Sequence, residues 1–425
     1  MLMRPLAASL LAITLLAGPA SATPWHILGP RAMGMGGAQV AVAQGPLASY
    51  WNPAGLGQLH NSKGFVLGGG ARGEFAGTVL LGANDLNEVA DSCRSGGALC
   101  TQAKIDQALA RFGAAGNGAL ADVGAGAGIN IGRAVVFLNQ LAYIGGAPAV
   151  DPTRTSAAAC PGGATCITNN QSRFVLRGGS FSELGIGYGH ELWESGFVVG
   201  GTLKGILGKV GYNSILIAAE EAGSGNFSDF KNTTRTSFQP GFDVGALWDV
   251  RETFPGAWAR PRVGLTVRNL NNPKFKQPDA AVLAGDRGKF SLHGQARMGA
   301  AFSPLPWWHL VGDFDLTDNV TNVGGFKSQY LSAGTEINVV NRDWFNIPLR
   351  AGLQKNISDA DSGVSWTGGV GFHLIHLTFD LGFMVSSRST QIESETGSEK
   401  VPNNFAASAQ FGILFGGHDD GGRNK

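Results

Sequence analysis

Leu310-Val311-Gly312-Asp313-Phe314-Asp315-Leu316-Thr317 is the stretch whose reading decides the fold. Leu310, Gly312, Phe314 and Leu316 fall on one face, and Val311, Asp313, Asp315 and Thr317 on the other. Alternation with period two marks a strand with two unlike faces. From about residue 64 to residue 416 the same pattern recurs, about ten residues at a time, each run followed by a turn. No long helical pattern accompanies it to cover the apolar faces. A soluble sandwich buries such faces inside, whereas a closed membrane barrel turns them to lipid.

Alternation and turn signals place fourteen strands, near 64–81, 121–131, 134–146, 171–190, 197–215, 234–250, 259–270, 289–303, 307–317, 327–340, 344–356, 364–373, 376–388 and 403–416. The connections alternate between long and short. Gly132-Arg133, Leu305-Pro306 and Leu374-Ile375 are short; 82–120, 147–170, 216–233, 271–288 and 389–402 are long. An even strand count with short turns at one end and long loops at the other is the habit of outer-membrane barrels. A sandwich supplies no reason for it. Trp193, Trp248, Trp258, Trp307, Trp308 and Trp344 collect at the short turns, as an interfacial aromatic girdle would. The fold class is therefore all-β: a transmembrane antiparallel β-barrel of about fourteen strands.

The remaining composition agrees. Met1-Leu2-Met3-Arg4, an apolar run over Leu6–Ala17 and Ala20-Ser21-Ala22 read as a signal peptide, 1–22. No later stretch reaches the roughly 18 apolar residues of a spanning helix. A formal charge of +1 over 425 residues leaves no basic footprint for nucleic acid. Cys93/Cys100 and Cys160/Cys166 lie in predicted loops; three connectivities are possible, and spacing favours the two local ones. Within the first long loop, apolar residues at 105, 108, 109 and 112 predict a short amphipathic helix that caps the barrel mouth.

With the apolar face outward, the inward candidates are Asp243, Arg262, Arg268, His293, Arg297, Asp313, Asp315, Glu336, Arg350 and Asp380. Such a lumen carries both signs, which argues against a strongly ion-selective pore. The opposed charges either pair across the interior, anchor a plug, or stand solvated. His293, His309, His373 and His376 are the only histidines placed for catalysis or metal binding, and spacing gives none of them partners. An enzyme is not expected, and neither a cofactor nor a metal.

Segment 23–63 precedes the strands and is rich in Gly, Ala and Pro. Its glycines Gly34, Gly36 and Gly37 do not make a nucleotide-binding G-x-G-x-x-G. The phrases Arg31-Ala32-Met33-Gly34-Met35-Gly36-Gly37-Ala38 and Trp51-Asn52-Pro53-Ala54-Gly55-Leu56 resemble the opening of the FadL-type superfamily of outer-membrane barrels. That superfamily includes the TraF-like barrels filed under conjugal transfer and the PorV-type secretion barrels. The helix-bearing first loop leans towards the TraF-like branch. The resemblance implies a hatch, 23–63, folded inside a fourteen-stranded barrel, 64–416, with Gly34, Met35, Gly36, Gly37, Asn52, Pro53 and Ala54 as the hatch motif and 417–425 as a periplasmic tail. It implies the outer membrane of a Gram-negative bacterium and contact with its lipid. It further implies passive uptake of hydrophobic or amphipathic small molecules, fatty-acid-like or aromatic. The alternative is a partner-binding barrel that serves envelope proteins of a conjugation or secretion apparatus.

Overall fold

The computed structural model describes residues 25–415, apart from 59–60, 115, 158–165, 194, 219–229, 231, 322–326, 343, 360–361, 395–396. The expected signal peptide 1–22, Cys160 and the tail 417–425 lie outside the described residues. Fourteen antiparallel strands close into one barrel. They are β1 Gly64–Ala76, β2 Gly118–Ile131, β3 Ala134–Ala149, β4 Arg173–Leu192, β5 Phe197–Leu216, β6 Thr234–Asp249 and β7 Arg262–Arg268. The circuit continues through β8 Gln295–Leu305, β9 Trp308–Asp315, β10 Tyr330–Asn341, β11 Phe345–Asn356, β12 Ser365–Leu374, β13 Leu377–Ser386 and β14 Asn404–Leu414. Pairing of Gly64 with Leu414 and of Glu74 with Asn404 joins the last strand to the first. Closure pairs every barrel strand with a neighbour on both sides, the condition for a sheet in lipid.

Alternation sorts the side chains as the sequence predicts. Leu184, Ile186 and Tyr188 face out from β4, with Leu184 62% exposed, while Phe181 and Glu183 are buried inside. Phe238, Leu331, Trp366 and Phe383 continue the outer apolar surface. Such a surface is stable in a bilayer and unstable in water. No helix among the described residues is long and apolar enough to cross a membrane. Trp193, Trp258, Trp307 and Trp344 are exposed at the short-turn end.

Beyond shifts of a few residues at strand ends, the elements differ from the sequence reading in several places. β1 stops at Ala76 because Gly77, at φ 65°, turns the chain into a helix, Val79–Ser95. That helix buries Leu86, Val89 and Ala90, and it packs with the expected second helix, Gln102–Phe112, in one apolar cluster. The Cys93–Cys100 disulfide ties the turn between them. The strand expected at 289–303 begins only at Gln295; Phe290–Ser291 instead pairs with Lys274–Phe275 in a small hairpin. Lys327–Ser328 likewise pairs with Asn319–Val320 outside the barrel. The expected loop 389–402 holds a further hairpin, Ser389–Ser394 with Gly397–Pro402.

Cys166 lies, as expected, in the loop between β3 and β4. It is buried and disulfide-bonded, and its backbone forms an isolated parallel bridge with Ser156. A short 3₁₀ turn, Ile167–Asn169, follows it directly and sets Ile167 into the apolar cluster of the two helices. The expected Cys160/Cys166 pairing is not among the described bonds, because Cys160 lies outside the described residues; Cys93–Cys100 is the disulfide described at both ends.

One strand is short. β7 pairs with β6 only from Val244 to Asp249; beyond it Leu270 N donates to Phe242 O and Asn271 Nδ2 to Pro240 O, each at 2.8 Å, and the strand ladder of Thr234–Gln239 is with β5 alone. The Lys274–Phe275 hairpin lies over this stretch, and Lys276 N donates to Ser237 Oγ of β6 at 3.2 Å.

Candidate functional site: the filled lumen

Residues 25–58 occupy the barrel interior as four short helical turns: Pro30–Gly34, Val40–Val42, Ala48–Trp51 and Pro53–Gly57. Small residues and Pro permit this irregular path, which no strand pattern would follow. Almost every side chain of the segment is buried.

The glycines mark where this backbone touches the wall. Gly36 has φ 71°, and a Cβ there would stand 2.3 Å from Leu353 O. The wall answers with its own gap: a Cβ on Gly352 would stand 2.5 Å from Gly36 N. Backbone against backbone brings polar groups into register. Gln354 Nε2 donates to Gly36 O at 3.0 Å, and Thr367 Oγ1 donates to Gly34 O at 3.0 Å. Met35 packs among Ala38, Ala41, Val42, Ala301 and Val311, and Arg297 Nη1 donates to Gly37 O at 3.3 Å.

Asn52 makes a second anchor. Its Nδ2 donates to Val40 O at 3.1 Å and to Ala246 O of β6 at 3.0 Å, while Oδ1 accepts from Ala54 N at 3.1 Å. Pro53, fixed in φ, starts the next turn without needing a donor. Ala54 packs with Val198 and Leu247 of the wall.

The inward charges expected from the sequence are engaged by ion pairs or by backbone donors rather than solvated, with one exception. Asp313 Oδ2 accepts from Gln39 N and Val40 N of the inner segment, at 2.8 and 3.0 Å. Arg297 holds Asp315 at 2.5 Å and lies 4.2 Å over the Trp25 ring. Arg268 stacks 3.8 Å over the Tyr50 ring and reaches Glu183 at 3.8 Å. Lys204 bridges Glu183 and Asp243, each at 3.0 Å. Arg31 of the inner segment grips Glu336 at 2.8 Å, and Arg350 links Glu336 to Asp380, both at 2.6 Å. Buried charges are tolerated only in such pairs.

Arg262 is the exception, with no ion-pair partner among the described residues. His293 is a correction: it lies between the small hairpin and β8, half-exposed, and not on the lumen face of a strand. Burial, and then Lys274, lower the proton affinity of its ring. Sequence reading overlooked the pairs Arg72–Asp122 and Lys204–Glu183. Leu184, Ile186 and Tyr188 facing lipid would have placed Glu183 inside.

Two regions flank the inner segment. On the long-loop side, Tyr143, Phe181, Phe275 and Phe290 form an aromatic cluster with Leu120, Ile206, Val210 and Leu292. Phe275 and Phe290 enter from the small hairpin beside the short β7; Phe275 packs edge-on against Phe181, ring centroids 5.3 Å apart. On the short-turn side lies a cavity of about 670 Å³, bounded by Pro255, Trp258, Pro306 and Phe415 and roofed by Arg31 and Gln39 of the inner segment. Among the described residues no cluster of three metal-ligating side chains occurs. His373 Nε2 lies 3.2 Å from Asp380, and His309 Nδ1 2.8 Å from Ser303 Oγ.

The sequence pattern of the family described as "F plasmid transfer operon, TraF, protein" matches residues 49–315, more than half of the chain. No curated protein matches it. Among solved structures, a "TodX monoaromatic hydrocarbon channel deltaS2 mutant" superposes with a TM-score of 0.52 at 9% identity, covering 92% of this chain and 100% of that chain. The P. putida toluene transporter TodX superposes at 0.50 with 11% identity, covering 92% of this chain and 99% of that chain. At such identity the likeness establishes a shared barrel fold.

Proposed function

The chain belongs to the family described as "F plasmid transfer operon, TraF, protein", and from that premise we propose an outer-membrane barrel for passive uptake of hydrophobic or amphipathic small molecules. Residues 23–63 act as its hatch. The observation that carries this reading is the interrupted strand ladder beside the short β7, bridged by Leu270 and Asn271 and by a small hairpin whose Phe275 and Phe290 fill an aromatic cluster inside. An apolar molecule that displaces those rings exchanges one apolar contact for another, so the entry step costs little beyond local reordering. Such a molecule would arrive from the lipid or from the loops and then meet the hatch, which non-covalent contacts hold in place. The barrel fold shared with a toluene transporter supports the same reading.

The test is uptake of toluene by cells or vesicles carrying the intact protein and a form without residues 23–63. The deleted form is expected to admit toluene faster. Equal uptake in both forms, no greater than in vesicles lacking the barrel, would remove the channel reading.

A second reading draws on the helical cap. Val79–Ser95 and Gln102–Phe112 form a disulfide-tied helical pair on the long-loop face, a surface suited to another envelope protein. It predicts cross-links from this pair to an envelope protein and no permeability phenotype; a lone, uncross-linked barrel would count against it.

A further inference from the structure

We propose that a small oxygen-lined cavity at the long-loop rim, where the last strand closes onto the first, binds a divalent cation of the calcium class. Glu74, Gln354 and Asn404 supply donors from the wall, and the link between β11 and β12 supplies Asp359. The site stands whether or not the barrel carries a ligand.

Strand register brings these donors together. Glu74 of β1 stands directly across from Asn404 of β14, and beside them Phe75 N donates to Asn403 O at 2.7 Å. On the other flank Gln354 of β11 pairs with Ser365 of β12, and Ser365 with Ser386 of β13. The Val385–Phe405 pair then sets Ser386 next to Asn404 and completes the row. Glu74, Gln354, Ser365 and Asn404 are buried. The row borders a cavity of about 30 Å³, together with Asp359, Ser362 and Gly363 of the link. That link packs on the row: a Cβ on Gly363 would stand 2.7 Å from Ser386 Oγ. A space of this size takes one ion with a water or two.

The oxygens around the cavity lack donors. Gln354 Nε2 donates to Gly36 O and to Ser332 Oγ, at 3.0 and 3.4 Å, which orients the amide and leaves its buried Oε1 without a partner among the described residues. Asn403 Oδ1 and Asn404 Oδ1 are buried and unpartnered in the same way. Glu74 forms no ion pair among the described residues and accepts from Tyr330 Oη at 3.4 Å. Asn356, by contrast, is spent, since its Oδ1 accepts from Gln329 N and Ser358 N at 3.0 and 3.2 Å. Buried acceptors without donors are costly, and what relieves them must be a donor or a cation.

Charge decides between the two. No Lys or Arg borders the cavity. Arg72 attracts the Glu74 charge, while Asp122 and Asp359 repel it. Arg72 is itself committed to Asp122 at 2.6 Å and to Tyr330 Oη at 2.9 Å, and His26 meets Asp122 at 3.1 Å. Against the carboxylates of Glu74, Asp122 and Asp359, even a protonated His26 beside Arg72 leaves an excess of negative charge. Arg388, whose stem lies against Gly363, is exposed, and solvent screens it. Oxygen donors alone suit a hard cation. Ca²⁺ accepts roughly six to eight of them in irregular geometry, whereas Mg²⁺ demands a near-octahedral shell and holds its waters. Two carboxylates, amide oxygens and water make such a shell without a cluster of three His, Cys, Asp or Glu, in keeping with the absence of one among the described residues.

The experiment measures radioactive calcium bound by the full-length protein in phosphatidylcholine nanodiscs, against nanodiscs without protein. One Ca²⁺ per barrel is expected, with a dissociation constant of about 0.1–1 mM, the range of extracellular calcium modules. Glu74→Gln keeps the shape and removes the charge, and is expected to weaken binding about tenfold or more. Asn404→Leu removes one amide oxygen and is expected to weaken it to a lesser degree. Asp151→Asn removes a carboxylate elsewhere on the long-loop side and is expected to leave binding unchanged. Heat-modifiable migration on a gel verifies that each variant forms the barrel, and the parent stoichiometry stands even where a variant does not. Parent binding no greater than that of bare nanodiscs would overturn the proposal, as would parental affinity in Glu74→Gln. A loss in Asp151→Asn equal to that in Glu74→Gln would overturn the assignment to this cavity. Displacement of half the bound Ca²⁺ by an equal concentration of Mg²⁺ would overturn the calcium assignment.

Discussion

At the level of single residues, the charged side chains are the easiest to place from sequence and the hardest to pair. Asp243, Arg268, Arg297, Asp313, Asp315, Glu336, Arg350 and Asp380 are buried in the lumen, and strand alternation alone points each of them inward. Which of them meet depends on the stagger between strands and on the inner segment, and alternation carries neither. Arg31 is visible in the sequence only as part of a motif, yet it ties the inner segment to Glu336. In the glycine- and alanine-rich β1 and β2 the two faces differ little, so the pattern does not single out Arg72 and Asp122. One loop residue supports a pH prediction. Burial pushes the Asp151 carboxyl up, but hydrogen bonds from Thr153, Gln171 and Arg154 outweigh it and hold it at about 2. A depressed carboxyl contributes stability that is complete above its unfolded value, near 4, and lost as pH falls through the folded one. Amide protection at Thr153 and Gln171, whose N–H groups Asp151 accepts at 2.9 and 3.0 Å, should therefore hold down to about pH 4 and decline towards pH 2. Asp151→Asn should remove that dependence; hydrogen exchange at these two amides checks it.

Among the elements, the fourteen barrel strands are legible because each has one apolar and one polar face. The small hairpins are not, since two paired residues leave no periodic signature. The helix Val79–Ser95 reads partly as strand because Val79, Leu80 and Leu81 continue an apolar run past Gly77. Its later apolar positions, Leu86, Val89 and Ala90, do follow a helical spacing. The Lys274–Phe275 and Phe290–Ser291 hairpin is the element on which the uptake reading leans most. Phe275→Ala with Phe290→Ala removes two buried rings, at a cost of about 3–5 kcal/mol each where the site cannot collapse. Because both rings come from a loop and not from the wall, the loss should fall on the hairpin while the barrel stays closed. The double variant is expected to take up toluene faster and to keep the parent's heat-modifiable migration. Uptake at the parental rate would mean that these rings do not lie on the route.

For the molecule as a whole, the sequence conveys the barrel and leaves its contents to be seen. Strand pattern and loop rhythm are one-dimensional signals. The path of the inner segment is set by backbone approach at places such as Gly36 against Gly352, which no periodicity records. The arrangement that results is a closed wall, an inner segment held by hydrogen bonds and ion pairs, an aromatic cluster on one side of it and a polar cavity on the other. The central claim is that this inner segment must shift for a ligand to pass. Ala54 and Val198 share one buried cluster between segment and wall, so cysteines at both positions can tie the two together. The most direct measurement is toluene uptake by Ala54→Cys with Val198→Cys, oxidised and then reduced, beside the parent under the same treatments. The parent comparison accounts for the native disulfides at Cys93–Cys100 and Cys166, which the reductant also opens. The account predicts that oxidation lowers uptake about tenfold or more and that reduction restores it, as expected when a moving element gates passage. Uptake that continues at the parental rate with the cross-link fully formed would contradict it.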